Sequence, residues 1–118
     1  MSGFYVPIRV DVDNGDTDES YFSLGFVFGH TAAVVPHNIG LCRDELEGDP
    51  GSIYIEADDQ VHGFTTKAAK YSIDAGVLTI TLLDENFFYW DESKVVNIKI
   101  SSEDAGAIEG CMSNIFSI

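Results

Sequence analysis

Apolar and polar positions alternate along most of the chain, and the period changes only near its end. Val6, Ile8, Val10 and Val12 alternate with polar or small neighbours, which predicts a half-buried strand. It runs into Asp13-Asn14-Gly15-Asp16, where Asn-Gly accepts the positive φ angles of a type I′ turn, so a hairpin is expected. The return strand extends from Tyr21 to Phe28, with Phe22, Leu24, Phe26 and Phe28 on one face. Residues 29–50 are less regular, because Pro36, Asn38-Ile39-Gly40 and Gly48-Asp49-Pro50 punctuate them as loops around one short element. Ile53 to Ala57 is a short strand, and Phe64 to Ile73 reads weakly as another. Ala75-Gly76 marks a tight turn into Val77–Leu82, the most regular β-branched run of the chain. Lys94 to Ile100 supplies a further strand through Val96, Ile98 and Ile100.

The final segment has a helical period. Ser101 stands three residues before Asp104, an approximate capping box, and Ala105, Ile108, Met112 and Ile115 recur at three- and four-residue steps. Gly106 and Gly110 each weaken such a helix by about 1 kcal/mol relative to Ala, so it must dock on the sheet to persist. The expected fold is α+β: an antiparallel sheet of about six strands with a C-terminal helix packed on one face. That helix runs from about Glu103 to Ile115 and buries Ile108, Met112 and Ile115. No repeat, low-complexity tract or linker divides residues 1–118, which read as one domain.

Charge changes the picture. The 118 residues hold 20 acids against 6 bases, a formal net charge of −14, and Arg9 and Arg43 are the only bases before residue 60. Such a field argues against nucleic acid and anionic membranes as partners and steers basic proteins toward the surface. With 45% hydrophobic residues and 8 Phe, 5 Tyr and 1 Trp, the chain reads as a packed globule rather than an acidic tail. Met1-Ser2-Gly3-Phe4 lacks the basic and apolar regions of a signal peptide, and no apolar run is long enough to span a membrane. Cys42 and Cys111 lie far apart without CxxC spacing, so a cytoplasmic protein with reduced thiols is expected.

Candidate chemistry is sparse. Asp11, Asp13, Asp16, Asp18 and Glu19 suggest a calcium loop, but counting from Asp11 places Gly15 at position 5, Asp16 at position 6 and Phe22 at position 12. The EF-hand pattern fails at all three, and a turn with solvated acids explains the segment better. His30, His37 and His62 have no metal-ligand spacing and read as solvated loop residues. A pair such as Cys42 with His62, or carboxylates among Glu56, Asp58 and Asp59, lacks the local context of a catalytic site. No catalytic residue, metal or cofactor is therefore expected.

Phe87-Phe88-Tyr89-Trp90 stands between Asp84-Glu85 and Asp91-Glu92. Four consecutive aromatics cannot all face one core from a strand or a helix. Either two enter the core and two stay partly exposed as a contact site, or all four tuck under a loop. On the first reading the partner-binding residues are Tyr89 and Trp90, rimmed by Asp58, Asp59, Asp84, Glu85, Asp91 and Glu92.

From Ser52 onward the chain resembles the Imm10 immunity proteins of bacterial polymorphic toxin systems. The likeness lies in Ile53-Tyr54-Ile55-Glu56, Asp58-Asp59-Gln60, Gly63-Phe64, Tyr71-Ser72-Ile73-Asp74 leading into Val77-Leu78-Thr79-Ile80, and Val96-Asn97-Ile98-Lys99-Ile100 before a helix ending near Ile115-Phe116. The resemblance implies a small cytoplasmic protein, monomeric or homodimeric, that binds and neutralises a cognate toxin protein by stoichiometric inhibition. Many such toxins are nucleases with basic substrate sites, which an acidic inhibitor could cover. The competing expectation is a small-ligand-binding β-rich module without catalytic activity, using the aromatic run as its pocket.

Overall fold

The computed structural model describes residues 4–15, 21–31, 36–44, 52–90 and 92–116. They form β1 (Phe4–Tyr5), β2 (Arg9–Asn14), β3 (Tyr21–Val27), β4 (Asn38–Asp44), β5 (Ile53–Ala57), β6 (Asp59–Thr66), β7 (Ala69–Asp74), β8 (Val77–Leu82), β9 (Val95–Lys99) and α1 (Ala105–Ile115). The α+β class is as expected, but the strands divide between two sheets. One is a five-stranded antiparallel meander in the order β2-β3-β4-β5-β6. The other has the order β1-β9-β8-β7, antiparallel except that the short β1 runs parallel to β9. A single sheet of about six strands is thus too few strands and one sheet too few.

Three local readings change with that division. Val6 and Ile8 belong to no strand and are 61% and 65% exposed, because the chain there passes from the smaller sheet to the larger. Pro7, at the crossing, has no N–H for a ladder. The expected Phe64–Ile73 strand is two strands in different sheets, parted at Lys67-Ala68. The stretch read as loops contains β4, seven residues long and central in its sheet. Its inward positions Ile39 and Leu41 are buried, but Gly40 between them and Asn38 before them hide the strand in sequence.

Elsewhere the period was a sound guide. Phe22, Leu24, Phe26 and Phe28 all face inward, as do Ile53, Ile55 and Ala57 of β5 and Leu78, Ile80 and Leu82 of β8. Asp74 pairs with Val77 across Ala75-Gly76, and both turn residues have positive φ (51° and 76°), the geometry of a type I′ hairpin. Gly15, with φ 80°, opens the β2–β3 turn; residues 16–20, including most of the failed calcium pattern, lie outside the described residues.

The helix packs on β2, β3 and β4, and its buried residues Ile108, Cys111, Met112 and Ile115 join the same apolar cluster as the inner faces of both sheets. It begins two residues later than expected. Ser101 Oγ accepts the Asp104 N–H at 3.2 Å and donates to Asp104 Oδ2 at 3.0 Å, so the Ser–Asp pair closes the turn before the helix. At the other end, Arg43 of β4 donates to the Asn114 carbonyl at 2.8 Å, placing a cation where the helix itself has none. Phe116 then meets Tyr71 of β7 at 4.9 Å, tying the helix end to the smaller sheet.

Candidate functional site

Residues 83–94 connect β8 to β9 through a narrow turn. Phe88 donates its N–H to the Ser93 carbonyl and accepts from Glu92, both at 2.8 Å, and Glu92 takes a positive φ of 57°. In such a turn each residue points its own way, which resolves the four-aromatic problem without a strand or a helix. Phe88 enters the core at 2% exposure, Phe87 is 48% exposed, and Tyr89 and Trp90 are half-buried. The Trp90 indole donates to the Tyr5 hydroxyl at 2.9 Å, and its ring lies 5.2 Å from Phe88 and 6.0 Å from Tyr5. His62 stacks on Tyr89 with ring centres 3.6 Å apart and planes 5° from parallel.

Asp58 occupies the reversal between β5 and β6 with φ 64°, a conformation that Asp tolerates better than most residues. Its Oδ1 accepts the N–H groups of His37 at 2.6 Å and Asn38 at 3.2 Å, and the Tyr89 hydroxyl donates to Oδ2. One carboxylate thereby joins the start of β4 to the aromatic turn. Burial, then the hydrogen bond to Asp58 and its charge, pushes the Tyr89 phenol from the ordinary 10.0 up to about 12. A raised value favours the protonated phenol in the fold, so its contribution is complete below pH 10 and is lost as pH rises through 12. The stability gap between the wild type and Tyr89→Phe should therefore narrow over that interval. Urea midpoints at pH 8 and at pH 11.5 to 12 would show it, and a constant gap would refute it.

Asp84 has a similar structural place. Its Oδ2 accepts the Thr66 hydroxyl at 2.6 Å and the Asn86 side-chain amide at 3.0 Å, while Oδ1 accepts the Asn86 N–H at 3.0 Å. The Thr66 bond, aided by those from Asn86 and opposed by burial, holds this carboxyl below the usual carboxylate range. The Lys94 ammonium donates to the carbonyls of Asp84 and Asn86. Of the expected contact residues, Asp58 and Tyr89 are thus bonded to each other, and Asp84 and Trp90 to the framework. Glu85 and Glu92 are exposed; the Asp59 side chain, on β6, and Asp91 lie outside what is described.

A second region escaped the sequence reading. On the outer face of the larger sheet, the register sets Asp11, Gly25, Gly40 and Glu56 side by side across β2, β3, β4 and β5. Together with Tyr21, Ser23, Cys42 and Tyr54 they line an open groove of 280 Å³. The carboxylates stand at its two ends and the glycines form its floor. Neither glycine has a positive φ, and a Cβ added to either would find its nearest neighbour at an ordinary 4.0 Å. The fold therefore does not require glycine at either place, although glycine inside a strand costs roughly 0.5–1 kcal/mol relative to Ala. The available signal was Gly25 itself, interrupting an otherwise strong strand.

The groove walls are phenolic. Tyr54 donates to Glu56 Oε1 at 2.7 Å, a bond that, ahead of burial, raises its phenol above the usual value. A Cβ at Gly63 of β6 would collide with that phenol, so Gly63 lets Tyr54 lie across the edge strand. Burial and then Cys42 raise the Tyr21 phenol. Arg9 pairs with Asp11 at 3.1 Å, both side chains being more than 60% exposed, an ion pair of little energetic weight. Cys111 lies in the core with its thiol 3.3 Å from the Ser23 carbonyl, whereas Cys42 faces the groove, so the sheet separates the two thiols.

Among the described residues no group of three or more His, Cys, Asp or Glu could hold a metal ion, and no helix is long and apolar enough to cross a membrane. A second cavity, lined by residues of the Val6–Val10 crossing, Lys99–Ser101 and Asp104, is distinct from the groove; residues 87–90 line neither. No family model, curated protein or solved structure matches the chain.

Proposed function

We propose that this chain is an immunity protein, a stoichiometric inhibitor that binds a toxin domain through that domain's basic surface, in the cytoplasm of the cell that makes the toxin. The supporting observation is the acidic outer face of the larger sheet, where Asp11 and Glu56 line an open groove within a chain of net charge −14. Opposite potentials accelerate encounter and orient it, and a nuclease or other phosphate-binding toxin presents the complementary field.

The test is growth of cells producing the toxin domain encoded beside this gene, with and without the chain, together with the mass of the purified mixture. Rescue of growth and a complex of fixed stoichiometry are expected. The association rate should fall as salt rises past roughly 0.15 M, where charges are screened within about 8 Å, while dissociation changes less. Failure of the purified proteins to associate, or rescue without a complex, would overturn the reading.

A further inference from the structure

We propose that the glycine-floored groove seats an extended basic segment of the partner protein, with one arginine or lysine at Asp11 and another at Glu56. The partner's identity rests on the inhibitory reading above; the location and chemistry of the seat rest on this face alone. Gly25 and Gly40 are paired neighbours on the two strands at the groove's centre, where side chains would ordinarily stand up from the sheet. Backbone geometry and crowding leave both positions open to a Cβ, so what the glycines uniquely provide is a floor without side chains. A strand glycine of this kind marks the close approach of another backbone.

The ends supply the charge and the spacing. Asp11 and Glu56 are separated by three interstrand steps, roughly 14 Å between Cα atoms at the usual 4.7–4.9 Å per step. In an extended segment, side chains four positions apart point the same way and lie roughly 13–14 Å apart. Bases at positions i and i+4 therefore match the two carboxylates while the intervening backbone crosses the glycines. Tyr21 and Tyr54 offer aromatic faces along the walls, which suit guanidinium groups. Tyr54 holds Glu56 by one oxygen and Arg9 pairs with Asp11, but a carboxylate accepts several hydrogen bonds and can take a guanidinium beside these donors.

The probe is a capped Arg-Ser-Gly-Ser-Arg peptide titrated into the full chain, followed by backbone amide shifts. The expected shifts centre on Gly25, Gly40 and Cys42, and a peptide with one arginine replaced by serine should bind about tenfold more weakly. Gly25→Ala/Gly40→Ala should keep or raise thermal stability while weakening the Arg-Ser-Gly-Ser-Arg peptide about tenfold, and Asp11→Asn/Glu56→Gln should weaken it similarly. Shifts spread over the whole acidic surface, or unchanged affinity in the folded glycine variant, would refute the seat. So would shifts here that depend on protein concentration without peptide, which would place a second copy on this face. A glycine variant that neutralises the toxin as well as the wild type would sink this inference and leave the inhibitory reading standing. A glycine-dependent peptide site in a chain that forms no toxin complex would do the reverse.

Discussion

A chain ending at Ser101 should lose cooperative unfolding and expose a surface that aggregates or binds hydrophobic dye. The helix buries Ile108, Cys111, Met112 and Ile115 completely against β2, β3 and β4. Burying each aliphatic or methionine side chain is worth about 1.5–3 kcal/mol, so their joint loss is comparable with the 5–15 kcal/mol that holds a typical domain together. The deletion also uncovers the side of β2, β3 and β4 on which the helix packs. Met112→Ala gives the same argument at smaller scale: it should remain folded and lose about 2–5 kcal/mol in denaturant unfolding. A truncated chain with a sharp, wild-type-like transition would show that the helix is an accessory rather than a wall of the core.

Trp90→Ala should destabilise the protein by on the order of 2–3 kcal/mol, somewhat less than a fully buried tryptophan, because the ring is half-buried. It removes the indole donor to Tyr5 and the stacking on Phe88, and β1, only two residues long, depends on Tyr5 for much of its anchorage. Tyr5 also meets Phe28 at 5.5 Å, so the loss reaches the end of β3. At temperatures where the variant is folded, it should bind the toxin domain with unchanged affinity, since the residue is joined to the framework and lies outside the groove. Chemical denaturation paired with binding measured well below the midpoint separates the two effects. Unaltered stability with affinity lowered by about 2 kcal/mol would instead make Trp90 an interface hot spot, the role that its charged neighbours suggest in sequence.

That contrast shows what the residues 84–92 conceal. Exposed aromatics between acids read as a contact site because sequence displays composition, whereas their directions depend on the Phe88–Ser93 turn. Asp58 and Asp84 read as a rim for the same reason. Asn86 lies two residues from Asp84, but the other partners, His37 and Asn38 for Asp58 and Thr66 for Asp84, stand 18 to 21 residues away, at positions that nothing in the sequence pairs with these carboxylates. Satisfied carboxylates and free ones look identical in a sequence.

By itself the sequence determined the elements whose burial alternates without interruption. Tyr21–Phe28, Ile53–Ala57, Val77–Leu82 and the helical period of Ala105–Ile115 could each bury a face in only one way, and the positive-φ residues of Ala75-Gly76 were foreseeable as a turn. A period states which side of an element is apolar, but not which neighbour covers that side. Only the tertiary structure decided that the chain changes sheets at Val6–Ile8 and again at Lys67-Ala68, and that β4 is a central strand despite Gly40. It also decided the alignment of Asp11, Gly25, Gly40 and Glu56, because that row is made by register between four strands. Register is a non-local quantity: it follows from the joint burial of all the inner faces, and no stretch of the chain records it alone.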